Sequence, residues 1–154
     1  MDIRIETAIN APAERVWRAL AHEFPAIDNW STTVESSRVL DAREVPDHLT
    51  VAPEAPVPGR ETQTRAGRFQ EILTAYSDAD MDLTFTADGL PKVFKLVTDR
   101  QRVVPSGEDQ CKVVFDVHVD ASGPARLLSP VLSRRMSKTF GIVQADLKSH
   151  VESR

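Results

Sequence analysis

Only one cysteine, Cys111, occurs in the 154 residues. That excludes an internal disulfide and a cysteine-built metal site, and it fits a reducing compartment. There is no basic block, and the net charge is -4. Nucleic-acid binding needs a clustered positive face, so no nucleic acid is expected as a partner. No apolar run approaches the roughly 20 residues of a membrane span, so membrane insertion is not expected. The opening Met1-Asp2-Ile3-Arg4-Ile5-Glu6 alternates and carries acids, unlike a secretory leader; a cytoplasmic location follows as the expectation. Missing too are a Gly-x-Ser-x-Gly elbow, a phosphate-cradling glycine loop and a His-Glu-x-x-His pair. His22, His48, His118 and His150 are scattered. Neither a metal nor a cofactor is expected. What remains is 41% hydrophobic and 27% charged, the composition of an ordinary globular chain whose length suits one domain over residues 1–154.

What is present is clearest in the last stretch, Ala125 to Ser153. Leu128, Leu132, Met136, Phe140, Val143, Leu147 and Val151 recur three or four residues apart, on one stripe of a helix. Ser133, Arg134, Lys138, Asp146, Lys148 and Glu152 lie between them and suit a wet face. Pro124 fits the first turn, and Pro130 is placed to bend the start. Such a helix is roughly 40 Å long, and its apolar stripe needs a matching surface.

The chain before it reads mostly as strand. Ile3, Ile5, Thr7 and Ile9 alternate with polar residues. Asn10-Ala11-Pro12 starts a helix that turns Val16, Trp17 and Leu20 inward, and Pro25 breaks it. A second short helical piece spans Ala26 to Trp30. Strands follow at Val34 to Leu40, Arg60 to Arg65, Arg68 to Tyr76, Met81 to Thr86, Lys92 to Val104 and Cys111 to Val119. Pro53, Pro56 and Pro58 make Val51 to Gly59 a loop. Turns are expected at Ala66-Gly67, Ser77 to Asp80, Asp88 to Pro91 and Pro105 to Gly107. Strands joined by hairpins imply an antiparallel sheet that receives the long helix on one face. A curved sheet is not filled completely by one helix, and the gap between them is the expected site.

The run Ile5-Glu6-Thr7-Ala8-Ile9-Asn10-Ala11-Pro12-Ala13-Glu14-Arg15-Val16-Trp17 resembles the start of the START-like, Bet v 1-like (SRPBCC) superfamily, and within it the bacterial polyketide cyclase/dehydrase-like group. Gly67 with Phe69-Gln70-Glu71-Ile72-Leu73 resembles that group's glycine turn and Glu-x-Leu strand. Phe140-Gly141-Ile142-Val143-Gln144-Ala145-Asp146-Leu147-Lys148 resembles its final helix. The resemblance covers essentially the whole chain. It implies an α+β helix-grip fold: a seven-stranded curved antiparallel sheet around a long C-terminal helix, with two short helices after the first strand and a cavity for an apolar molecule. The residues it implies for that cavity are Trp30, Phe69, Glu71, Leu83, Phe85, Phe94, Phe115, Met136 and Phe140. Two departures stand out. Arg60 follows Gly59 directly, where the family often has an arginine a few residues after a glycine. Phe85 and Phe94 stand where related chains often carry tyrosine, which implies a drier pocket.

Two functions from different classes fit. One is binding of a small hydrophobic molecule: a lipid, polyketide or aromatic compound. The other is a cyclase/dehydrase-type enzyme that folds a polyketide chain and moves protons. Binding is favoured, because few acid/base groups are available: chiefly Glu71, with Asp28 and Tyr76 behind it. Phe69, Glu71 and Leu73 share one side of their strand, and the resemblance turns that side inward. Arg135 then stands ready to offset the glutamate; the alternative is a surface pair with Arg60 or Arg65. His118 reads as a solvated strand histidine and Cys111 and Trp17 as core. Arg134, Arg135 and Lys138 read as a wet face or an anion site, and Trp30 as packing or cavity mouth. Val51 to Gly59 and Asp88 to Pro91 are the expected rim. A third reading is a partner-regulating domain docking through the long helix. The chain is expected to be a monomer or homodimer.

Overall fold

The computed structural model describes residues 1–153, apart from the Ala125 side chain. Seven strands form one antiparallel sheet: β1 (Asp2–Ile9), β2 (Ser36–Val39), β3 (Gly59–Thr64), β4 (Gly67–Ser77), β5 (Asp82–Asp88), β6 (Phe94–Gly107) and β7 (Gln110–Ala121), in the order β1-β7-β6-β5-β4-β3-β2. Two helices, α1 (Ala13–Trp17) and α2 (Ser129–Glu152), complete the main frame. Strands β2 to β7 are each a neighbour of the next, and β1 closes against β7. This is the expected helix-grip arrangement.

Local chemistry moves several boundaries. Pro12 is itself the cap residue of α1, with φ -58° and ψ 142°, and no side chain caps the helix. Asn10 instead donates its backbone N–H to Glu152 Oε1 at 2.7 Å, tying the start of α1 to the end of α2. The helix continues as a π-helical stretch, Arg18–His22, and Pro25 then opens a 3₁₀ helix, Phe24–Asn29, rather than merely ending one. β2 is shorter than expected. β6 runs on through Pro105 to Gly107, because beyond Arg102 it pairs only with β7 and a missing N–H is tolerated there.

The long helix begins at Ser129, not Ala125. Gly123–Arg126 is a separate 3₁₀ turn, and Pro130 lies in the first turn of α2. The apolar stripe is used unevenly. Val143, Leu147 and Val151 are buried, but Leu132, Met136 and Phe140 are only half-buried and Leu128 is exposed. Leu132 and Phe140, expected on the stripe that a matching surface covers, are only partly covered because the space beneath that half of α2 is open.

The other half is fastened. Gln144, fully buried, accepts from Thr7 Oγ1 at 2.7 Å and donates to the Ile5 carbonyl at 2.9 Å. This amide ties α2 to the edge strand β1, whose Ile5 also pairs with Phe115 of β7. Asp146 accepts from the Thr32 N–H and hydroxyl, at 2.8 and 2.7 Å. Below this fastened half lies the main core, where Val16, Trp17, Phe24, Leu73, Leu83 and Phe115 pack together with Leu147.

Candidate functional site

A cavity of about 440 Å³ lies between the sheet and α2. That is within the range of small-molecule sites. Its walls come from the inward-facing positions of β3 to β7, the half-buried part of α2, and the segment from Leu20 to Val34. Of the nine residues named from the sequence, Trp30, Phe69, Glu71, Phe85, Phe94, Phe115, Met136 and Phe140 border it. Leu83 does not. It faces the same way as Phe85 but is wholly buried in the packed core.

Parity explains the lining of β4. Arg60 opposes Glu71 and Thr62 opposes Phe69, so the Phe69-Glu71-Leu73 side faces the cavity with the Arg60-Thr62-Thr64 side of β3. A bulge between Leu73 and Ala75 then switches the parity, and Tyr76 turns inward to the core. Tyr76 is therefore no cavity acid. Its hydroxyl donates to Asp78 Oδ1 at 2.7 Å, and burial together with that carboxylate pushes its pKa up. Trp17 Nε1 donates to the same oxygen at 2.8 Å, and His22 Nε2 lies 2.9 Å away. These groups hold the Asp78 carboxyl below the usual range. Asp28 is exposed and exchanges hydrogen bonds with Ser37.

Glu71 does face the cavity, but Arg60 rather than Arg135 offsets it. Arg60 Nε donates to Glu71 Oε1 at 2.7 Å, and the arginine is only 4% exposed. Its Nη1 donates to the Phe24 carbonyl at 2.9 Å, and its guanidinium carbon lies 3.8 Å from the Phe24 ring centroid. The inward reading and the Arg60 pairing are thus both realised at once. Gly59 makes this geometry available. A Cβ there would lie 2.2 Å from the Glu71 carbonyl oxygen, so β3 and β4 approach closely just beside the pair. Arg135 is exposed on α2 and borders the cavity mouth.

Asp99 is the group that the sequence reading passed over. It lies on β6 between Phe85 of β5 and Val117 of β7, 1% exposed, and borders the cavity. Gln101 Nε2 donates to its Oδ2 at 2.8 Å, while Oδ1 has no hydrogen-bond partner among the described residues. Burial pushes its pKa up to about 7; the Gln101 hydrogen bond opposes this, and the Glu71 charge adds to it. The available signal was the parity of β6: Val97, Asp99, Gln101 and Val103 form one face, with two polar residues between two apolar ones. Trp30 Nε1 is another buried polar atom without a hydrogen-bond partner among the described residues, on a side chain stacked against His150 at 6.4 Å between ring centroids.

The rim differs from expectation at one place. Leu90 and Pro91 border the cavity, as does Ala66 in the β3–β4 turn. Val51 to Gly59 does not. Ala52 N–H donates to the Leu73 carbonyl, and Leu73 N–H to the Pro58 carbonyl, so this loop is pinned along β4. Cys111 is buried with its pKa pushed up to about 11 by burial, an inert core thiol. His118 is exposed beside Asp2.

No curated protein matches this chain by sequence. Solved structures match over almost its full length. A START superfamily protein from Mycobacterium smegmatis is 16% identical, with a TM-score of 0.76, covering 99% of this chain and 97% of that one. Ara h 8.0201 is 15% identical, with a TM-score of 0.71, over 100% of this chain and 99% of the other. The di-domain ARO/CYC BexL from the BE-7585A biosynthetic pathway is 14% identical, with a TM-score of 0.75; 99% of this chain aligns with 46% of it. These likenesses establish the START/Bet v 1 fold. The family model described as polyketide cyclase / dehydrase and lipid transport matches residues 2–152, nearly every residue that builds the sheet, the cavity and α2. The chain therefore belongs to the polyketide cyclase/dehydrase and lipid-transport family.

Proposed function

We propose that this protein, acting as one domain, binds a small, largely apolar organic molecule in the cavity between the sheet and α2. The observation that carries the reading is the cavity itself: about 440 Å³, walled by Phe69, Phe85, Phe94, Phe115, Met136 and Phe140, with a few polar groups among them. Such walls favour lipid, polyketide or aromatic skeletons, whose apolar area gains about 25 cal/mol per Å² on leaving water. The family description, which joins cyclase/dehydrase chemistry to lipid transport, supports the same class of ligand.

Native mass spectrometry of protein isolated from its own host tests this. A bound small molecule is expected in the parent protein. It is expected to be lost in Ala87→Trp, which places a large ring where a half-buried alanine borders the cavity. A parent that never carries or takes up an apolar molecule sinks the reading.

A cyclase/dehydrase-type activity in the same cavity is the second reading. Two carboxyl groups favour it, since Glu71 and Asp99 both border the space where a chain would fold. Turnover of a polyketone substrate, absent in an Asp99→Leu variant that still binds it, distinguishes catalysis from carriage.

A further inference from the structure

The apolar walls of the cavity select a skeleton, and Asp99 selects its polar end. We propose that Asp99 Oδ1 is the polar subsite of the cavity, and that it addresses a carbonyl oxygen on an otherwise apolar, uncharged ligand of the ketone or quinone type. This rests on the cavity being a ligand site.

Oδ1 is a buried polar atom with no partner among the described residues, on a side chain 1% exposed in the cavity wall. Orphaned buried polar atoms are rare, and one that borders a cavity is poised for what enters it. Next comes the location of the proton. Oδ2 already accepts from Gln101 Nε2, so in the neutral carboxyl the proton belongs on Oδ1. Burial favours that neutral form up to about pH 7. Oδ1–H is then a donor with no acceptor among the described residues, and a carbonyl oxygen entering the cavity meets that need.

Charge narrows the class further. The Arg60 guanidinium is already paired with Glu71 and lies against the Phe24 ring. It is no free counterion for an anionic ligand. The other charged groups around Asp99 are Asp116 on β7, itself bonded to Arg4 and Arg102, and Arg135, exposed at the cavity mouth. A carboxylate placed beside Asp99 would meet Glu71 and no uncompensated buried cation. A hydrocarbon would leave Oδ1 unpartnered. An uncharged carbonyl avoids both costs.

The test uses a matched pair of probes, 9-fluorenone and fluorene, which share a ring skeleton and differ at one carbon. Dissociation constants are measured by calorimetry at pH 6 and pH 8.5 for the parent, Asp99→Asn and Asp99→Leu. The parent is expected to prefer the ketone about tenfold at pH 6, the factor one net hydrogen bond supplies, and to lose that preference at pH 8.5. In Asp99→Asn the amide oxygen takes the Gln101 bond and the NH₂ replaces Oδ1–H. The ketone preference is therefore expected at both pH values. That separates Asp99 from Glu71, whose carboxyl is intact in this variant. Asp99→Leu is expected to bind fluorene and show no preference.

Equal affinity for the two probes in the parent at pH 6 overturns the subsite, as does a preference that survives at pH 8.5 in the parent or persists in Asp99→Leu. Should the leucine variant not fold, the parent and Asp99→Asn decide alone. Binding of neither probe by the parent overturns the cavity reading instead, so the two failures are distinct.

Discussion

At the scale of single residues, two positions set the character of the cavity, and each makes a prediction. Asp99 is raised to about 7 in the folded chain from an ordinary value of 3.8. The native state therefore holds a proton that the unfolded state releases between about pH 4 and pH 7. Stability falls as pH rises through that window and stays reduced above it. Asp99→Asn removes the effect. Its advantage over the parent is expected to be near zero at pH 4 and to grow toward a ceiling of about 4 kcal/mol at pH 8, at about 1.4 kcal/mol per unit. Urea midpoints at the two pH values check this; a difference that does not grow with pH contradicts it. Gly59 makes the opposite kind of prediction. The atoms that an added Cβ would strike, the Glu71 carbonyl oxygen at 2.2 Å and Ile72 Cα at 3.0 Å, belong to backbone, so β3 and β4 must part. Gly59→Ala is expected to lower stability by about 3 kcal/mol or more, read from the same denaturation curves, and to loosen the Arg60–Glu71 pair. The pair was only half legible beforehand. Parity grouped Phe69, Glu71 and Leu73 on one side and the family resemblance turned that side inward, but the partner of Glu71 depended on which strands meet and in what register, and that is a long-range fact. Asp99 was legible in principle from the face it shares with Val97 and Val103. It was missed because a polar residue inside a strand ordinarily marks the wet side.

The elements themselves were easier to read, because period and turn chemistry act locally. β1, β5 and β7 alternate over most of their length, and the pairing of β4 through β7 follows from hairpins closed by short turns, whereas β1 meets β7 from the far end of the chain. What resisted were the boundaries set by proline. Pro12, Pro25 and Pro130 each open a helical segment, though two of them invited reading as breaks or bends. α2 also looked uniform in sequence and is not. Its second half is packed and hydrogen-bonded, while its first half roofs a cavity, a difference invisible to a stripe that repeats evenly from Leu128 to Val151. A pair of truncations separates the halves. Leu147→Ala, at a fully buried site, is expected to cost about 2–5 kcal/mol by leaving a void in close packing. Leu132→Ala, half-buried beside space that already exists, is expected to cost under about 1 kcal/mol and to change ligand affinity instead. Thermal unfolding checks both, and equal losses at the two positions would remove the distinction between the halves of α2.

For the whole molecule, the question is how a ligand reaches a cavity gripped between a sheet and a helix. The fastenings answer it. Gln144, Asp146 and Glu152 tie the second half of α2 to β1, to Thr32 and to Asn10. The proline-rich loop is held along β4 through Ala52, Leu73 and Pro58. Neither can yield without breaking these bonds. By contrast, Leu128 just before α2 and Val131 in its first turn lie in solvent at 60% and 55% exposure, and the turn after β5 brings Leu90 and Pro91 to the cavity edge. Local opening takes place where few buried contacts resist it, so these two segments are the expected gate. Hydrogen exchange with and without 9-fluorenone tests this. Binding is expected to slow exchange in residues 88–90 and in α2 from Val131 to Thr139, and to leave residues 51–59 unchanged, because that loop is as firmly bonded in the empty protein as in the filled one. Slowing confined to residues 51–59 would move the gate to the other end of the sheet, against the hydrogen bonds that pin it.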